Sequence, residues 1–187
     1  MHVSSDYVFT GRKNTPYVES DPPEPLSAYG RSKLAGELAT AEAAPGRHTI
    51  VRSSWLFGTG GACFPATILR LAAERDELTV VDDQIGCPTF TSDLADGLVR
   101  VCAQPAPGTI HIAGDGACSW FEFASAILER AGLPCRIRPG RTEDLARPAP
   151  RPTFSVLASE RAAPRLPHWR DGLWQYMAQR TETVGAI

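Results

Sequence analysis

Two groups of residues carry side chains suited to acid–base chemistry. Tyr29 and Lys33 stand four apart in the run SAYGRSKLAGE. On a helix that spacing puts both side chains on one face. A lysine ammonium held near a phenol favours the phenolate. A phenol so poised can give a proton to a developing alkoxide or take one from an alcohol. The second group, SSDYVF, contains Ser4, Ser5 and Asp6. Hydroxyls at the C-terminal end of a strand lie where open α/β sheets bind ligands, and one of them can hydrogen-bond a substrate carbonyl. Each group alone has a plainer alternative. The Tyr–Lys spacing occurs by chance in many helices, and Ser with Asp often caps the amides of a turn.

The elements that must position these groups follow from local pattern. Residues 2–5 read as a strand end, and a Pro-rich loop covers 10–26. Ala, Leu, Glu and Lys make 28–44 a helix, stopped by Pro45 and Gly46. Branched residues make 49–53 a buried strand. Helical spacing recurs over 64–74. A short strand at 78–81 precedes a loop over 82–89, closed by Pro88. Thr91 or Ser92 is expected to cap a helix reaching about residue 102. A strand at 109–112 follows. Ser119 and Glu122 fit a capping box for a helix over 121–131 that ends at Gly132. Further expectations are a strand at 135–138, an extended stretch at 147–152, a helix over 169–179 and a disordered tail at 181–187. Strands alternating with helices argue for an α/β fold with parallel strands.

Composition narrows the function classes. The 187 residues are 43% hydrophobic and 21% charged, with a net charge of −2. No basic stripe points to nucleic acid. No apolar run approaches the roughly 18–20 residues of a membrane helix, and residues 1–6 lack the form of a secretory signal. The five cysteines are odd in number and widely spaced, without CxxC, which fits free thiols in a cytoplasmic protein. No metal site is called for.

Taken together, SSDYVF, SAYGRSKLAGE, VRSSWLFG, VVDDQIGCPT, GTIHIAGDGACSWFEFA and RPTFSVL resemble the extended short-chain dehydrogenases. Among these they are most similar to the dTDP-4-dehydrorhamnose reductases. The resemblance runs from His2 to about Met177. It implies the C-terminal part of a Rossmann-type parallel sheet plus a smaller substrate-binding α/β subdomain. Residues 1–60 would be the remainder of the NAD(P)-binding domain. Residues 61–180 would mainly bind the sugar nucleotide, with one or two segments, including 82–103, returning to the first part.

The family reduces the C4 ketone of a dTDP-4-keto-6-deoxysugar with NADPH or NADH. By resemblance Tyr29 donates the proton, Lys33 binds the nicotinamide ribose and Ser5 hydrogen-bonds the ketone. Ser4, Ser53 and Ser54 join Tyr29 and Lys33 at the cofactor. Asp6, Trp55, Phe64, Gln84, Thr89 and Arg151 line the substrate side. A homodimer is allowed, and some relatives hold magnesium at a dimer contact.

The chain also departs from the family. Gly58, Gly60 and Gly61 do not form the dinucleotide turn, which requires a strand, a Gly-rich turn and a helix. By resemblance that main cofactor loop would precede His2, so the chain reads as N-terminally truncated. Cys63 and Phe154 stand where relatives carry Asn. A non-catalytic binding or regulatory module of the same fold is the alternative. A dehydratase or epimerase fits less well, because Ser5 is followed by Asp6 and Tyr7 rather than an acidic pair.

Overall fold

Short branched runs alternating with Ala- and Leu-rich stretches set the order of elements. The computed structural model describes residues 1–105, 107–145 and 148–184, the last four as backbone only. The strands are β1 (His2–Ser5), β2 (Thr49–Ser53), β3 (Leu56–Phe57), β4 (Glu77–Val81), β5 (Ile85–Gly86), β6 (Thr89–Phe90), β7 (Gly108–His111), β8 (Cys118–Ser119) and β9 (Arg136–Gly140). The helices are α1 (Ala28–Ala43), α2 (Phe64–Glu74), α3 (Thr91–Ala103), α4 (Trp120–Ala131) and α5 (Trp169–Val184). A 3₁₀ turn over Asp6–Val8 follows β1 at once.

Strands β1, β2 and β7 form one parallel sheet with β2 in the middle. Ser5 lies beside Ser53, and Arg52 beside His111. Every residue of β2 is buried, as a strand covered on both faces requires. Leu94 and Val101 of α3 pack on Val51 and Ile110. Arg52 points to the opposite face, toward α1. In the second layer α2 leads into β4 and α4 into β9, and these two strands pair in parallel. Phe57, Ile68, Phe90, Phe123, Trp169 and Leu173 fill the core there.

Several boundaries differ from those expected. Strand β6 runs straight into α3, so Phe90 holds the cap position and neither Thr91 nor Ser92 caps it. The loop over 82–89 contains β5, which pairs antiparallel with β8. Strand β9 extends through Pro139, tolerated because its pairing is with β4 alone. Helix α5 continues through Val184, past the expected start of a disordered tail. Residues 185–187 and Arg147 lie outside the described residues.

Helix α1 carries Tyr29 and Lys33, and its seat is set by three contacts. The Ser27 hydroxyl accepts from Gly30 N–H at 3.1 Å and caps the helix. A Cβ on Gly30 would lie 2.2 Å from the Tyr7 carbonyl oxygen, so only glycine lets the first turn approach the end of β1. Two turns on, the buried Arg52 guanidinium grips the buried Glu37 carboxylate with bonds of 2.9 and 2.7 Å. Arg52 also lies over the Phe9 ring, 5.0 Å from its centroid. Removing one member of such a pair leaves a charge without a partner. Arg52→Met should therefore cost about 3–5 kcal/mol in urea unfolding. Arg52→Met with Glu37→Leu should recover most of the loss, because no lone charge is then left.

Candidate active site

At the C-terminal ends of β1 and β2 lies a cavity of about 310 Å³. Ser4, Ser5, Asp6, Tyr29, Ser53, Ser54, Trp55, Trp120 and Arg151 are among the residues that line it. The Ser5 hydroxyl donates to Asp6 Oδ1 at 2.9 Å and accepts from Tyr7 N–H at 3.2 Å. Tyr29 is 54% exposed, and its ring meets Tyr7 edge-on at 5.9 Å. Lys33 reaches from α1 across the end of β1, its Nζ 2.6 Å from the Val3 carbonyl. The buried hydroxyls of Ser4 and Ser53 find no hydrogen-bond partner among the described residues.

Part of the lining is aromatic. Trp55 stacks on Trp120 with centroids 3.6 Å apart and planes 3° apart, and Phe64 leans on Trp120 at 4.5 Å. Among the described residues Trp55 is the one non-glycine with a left-handed backbone, φ +46°, a strain of about 1–2 kcal/mol that the stacking offsets. A Cβ on Gly86 would come within 2.4 Å of the Trp55 indole. Phe64, Trp120 and Arg151 also line a second cavity of about 630 Å³ with Arg75 and Leu145. Trp120 and Arg151 are thus common to both cavities.

Asp6 is the electrostatic anomaly of the site. It is 2% exposed, and burial pushes its carboxyl from an ordinary 3.8 up to about 7, against the pull of the Ser155 and Ser5 hydroxyls. The nearby Cys87 thiol is pushed up to about 12, also by burial.

The chain has counterparts among known proteins. Residues 1–182 match the RmlD substrate binding domain. The chain belongs to the RmlD substrate binding domain family. It is 44% identical to the spore coat polysaccharide biosynthesis protein SpsK of Bacillus subtilis over 97% of this chain and 64% of that protein. It is 42% identical to a dTDP-4-dehydrorhamnose reductase of Streptomyces griseus over 92% of this chain and 60% of that one. The crystal structure of a dTDP-4-dehydrorhamnose reductase from Clostridium acetobutylicum superimposes with a TM-score of 0.92 at 38% identity, over 96% of this chain and 65% of that one. Another, from Bacillus anthracis in complex with NADP, gives 0.91 at 37% identity over 95% and 64%. The chain thus spans about three fifths of the length of these relatives. The expected α/β fold of Rossmann type, with parallel strands, is the fold of this family member.

Within the RmlD-type frame the cavity brings together Ser4, Ser5, Asp6, Tyr29, Ser53, Ser54, Trp55 and Arg151. Lys33 stands behind β1, and Phe64 lines the second cavity. Ser54 spends its hydroxyl on the Cys87 carbonyl at 2.6 Å. Gln84 and Thr89 line neither cavity. Gln84 is buried and donates to the Thr142 hydroxyl at 2.9 Å. Thr89 is fully buried, and its hydroxyl links the Cys87 carbonyl to Gly114 N–H. Both hold loops in place. The two positions expected to carry Asn serve packing instead. The Cys63 thiol lies 3.5 Å from the Tyr176 hydroxyl, and Phe154 packs against the cluster of Val8, Phe9, Tyr17 and Leu157.

Three residues escaped the sequence reading. Trp120 was legible only as the start of a helix, and Glu37 as one more helix former. Ser155 gave no signal, since nothing in RPTFSVL says that it turns to Asp6. A carboxyl with a raised folded-state pKa binds its proton more tightly when folded. Its stabilisation is complete below about pH 4, falls as pH rises to about 7 and is then flat. Relative to Asp6→Asn, the wild-type chain should lose on the order of 4 kcal/mol across that window in denaturant titrations. A difference that does not vary with pH would contradict the raised value.

Proposed function

We propose that this chain is the catalytic and sugar-nucleotide-binding part of an NAD(P)H-dependent 4-ketoreductase acting on a dTDP-4-keto-6-deoxysugar. The observation that carries the reading is the gathering of Ser5, Asp6, Tyr29 and two unpartnered serine hydroxyls around one cavity at the strand ends. Open α/β sheets bind ligands at this end.

The residues present fit the polar end of a dinucleotide. Buried hydroxyls without partners are costly, and those of Ser4 and Ser53 lie where a ribose or carboxamide would satisfy them. Lys33 can exchange the Val3 carbonyl for the ribose hydroxyls. A reduced nicotinamide bound there supplies the hydride for C4. Tyr29 gives its phenolic proton to the C4 oxygen as that oxygen becomes an alkoxide, and Ser5 hydrogen-bonds the same oxygen.

The aromatic wall of Trp55, Trp120 and Phe64 suits the sugar and nucleoside faces. Arg151 and Arg75 supply cations for the diphosphate. Residues 1–60, with α3 and β7 returning to them, form the cofactor side in this reading, and the remainder binds the sugar nucleotide. A cytoplasmic setting agrees with five free thiols. Among the described residues no helix is long and apolar enough to cross a membrane. A homodimer belongs to the same reading, with the exposed Leu38 and Val99 as apolar side chains open to a second copy. Among the described residues no three His, Cys, Asp or Glu side chains gather within the single chain.

The test is NAD(P)H consumption with a dTDP-4-keto-6-deoxysugar. Tyr29→Phe should lower turnover by about 10²–10⁴-fold while the circular dichroism stays that of the wild type. Near-normal turnover by the variant would remove Tyr29 from the mechanism. A wild-type chain that binds the sugar nucleotide without turnover would be a binding module instead.

A further inference from the structure

The Ser5 hydroxyl has one hydrogen, and that hydrogen is directed at Asp6 Oδ1. One lone pair accepts from the Tyr7 N–H. A serine hydroxyl offers one donor and two acceptor positions. While Asp6 takes the hydrogen, Ser5 has none to offer a ketone oxygen. Asp6 Oδ2 is buried without a hydrogen-bond partner among the described residues, so a proton finds an acceptor on the Oδ1 side, where it reverses the pair. The Oδ1–H then donates to the remaining Ser5 lone pair, and the Ser5 hydrogen is released toward the cavity. We propose that Asp6 directs the Ser5 hydrogen, so that Ser5 polarises the substrate ketone only while Asp6 is protonated.

The inference rests on the roles given to Ser5 and Tyr29 in the proposed function. Tyr29 remains the group that gives its proton to the C4 oxygen. Asp6 gains and loses no proton over a turnover, so it is a positioning residue.

The surroundings allow both states of Asp6 to occur. It lines the same cavity as Tyr29, Ser53 and Arg151, yet it is almost wholly buried. Burial disfavours its charge and brings its titration into the neutral range. Cys87, between β5 and β6, interacts electrostatically with it, and Tyr7 of its own turn, Tyr29 of α1 and Arg151 of the late loop line the same cavity. The Cys87 thiol is held too high to ionise in that range. Tyr29 remains the group to separate from Asp6, and an Asp6→Asn variant does so.

Two measurements on the 187-residue chain test the proposal. In the first, carbon NMR follows labelled aspartate carboxyls in the wild type, Asp6→Asn and Ser5→Ala. One carboxyl should titrate near neutrality, vanish in Asp6→Asn and move to higher pH in Ser5→Ala, which loses a charge-assisted bond to the carboxylate that is stronger than the bond the neutral acid gives. Titration of Asp6 near about 4 with ordinary aspartates, or no change in Ser5→Ala, would overturn the proposal.

The second measurement is turnover from about pH 6 to about pH 9. Above the Asp6 midpoint the wild-type rate should fall by roughly tenfold per pH unit, whereas Asp6→Asn should lack that limb and fall only where Tyr29 loses its own proton. The same falling limb in both proteins would overturn the proposal and leave the reductase assignment standing. Absence of turnover in the wild type would remove the reductase assignment. The Ser5→Ala shift would then decide the coupling alone, an upward shift supporting it and no shift overturning it.

Discussion

Glu37 and Arg52 meet where water is excluded, and much of the site depends on how they meet. Helix α1 has little apolar surface with which to find its place. Its buried residues are Gly30 and Glu37, one with no side chain and one with a charge. Hydrophobic packing is non-directional and would tolerate a slide or rotation of such a helix. A bidentate guanidinium–carboxylate contact has one geometry. It pins α1 to β2 two turns beyond Tyr29 and one turn beyond Lys33. Gly30 against the Tyr7 carbonyl fixes the other end. Buried pairs of this kind add little net stability over apolar replacements, and the contribution argued for this one is position.

With α1 fixed, the sheet register supplies the rest of the reaction end. Ser5 and Ser53 are neighbours on adjacent parallel strands. The turn after β1 folds Asp6 back under Ser5, and Tyr29 faces the same space. The second layer brings the aromatic wall to this point. Trp55 leaves β2 in a left-handed conformation, which carries its ring onto Trp120 at the start of α4. The hydroxyls of the first layer and the aromatic rings of the second thus line one cavity, and Trp120 and Arg151 carry it into the larger one beside Phe64 and Arg75.

Much of this was legible in the residues. The capping box of Ser119 and Glu122 forms as expected, because it is built from residues three apart and needs no distant partner. The bounds of α1, α2 and β2 also follow from local composition. The chain is less legible where tertiary contacts decide. Thr91 has the chemistry of a cap, but β6 enters α3 without a break and the cap position falls on Phe90. Thr89 and Gln84 sit in a motif that resembles a substrate loop, and no local pattern says that the fold ties the Thr89 hydroxyl to Cys87 and Gly114 and the Gln84 amide to Thr142. Glu37 is an ordinary helix residue until β2 brings Arg52 beneath it. The raised titration of Asp6 depends on complete burial, which no pattern of neighbours in the sequence encodes.

We propose above that the hydroxyls at the ends of β1 and β2, with Tyr29 on a fixed α1, direct a hydride to C4 of a keto sugar. The most direct measurement supplies the chain with C4-deuterated NAD(P)H and a dTDP-4-keto-6-deoxysugar and locates the label by NMR. The account predicts one deuterium on C4 of the sugar, on a single face, and none in the Tyr29→Phe protein over the same time. A product without deuterium at C4, or label found at another carbon, would contradict it.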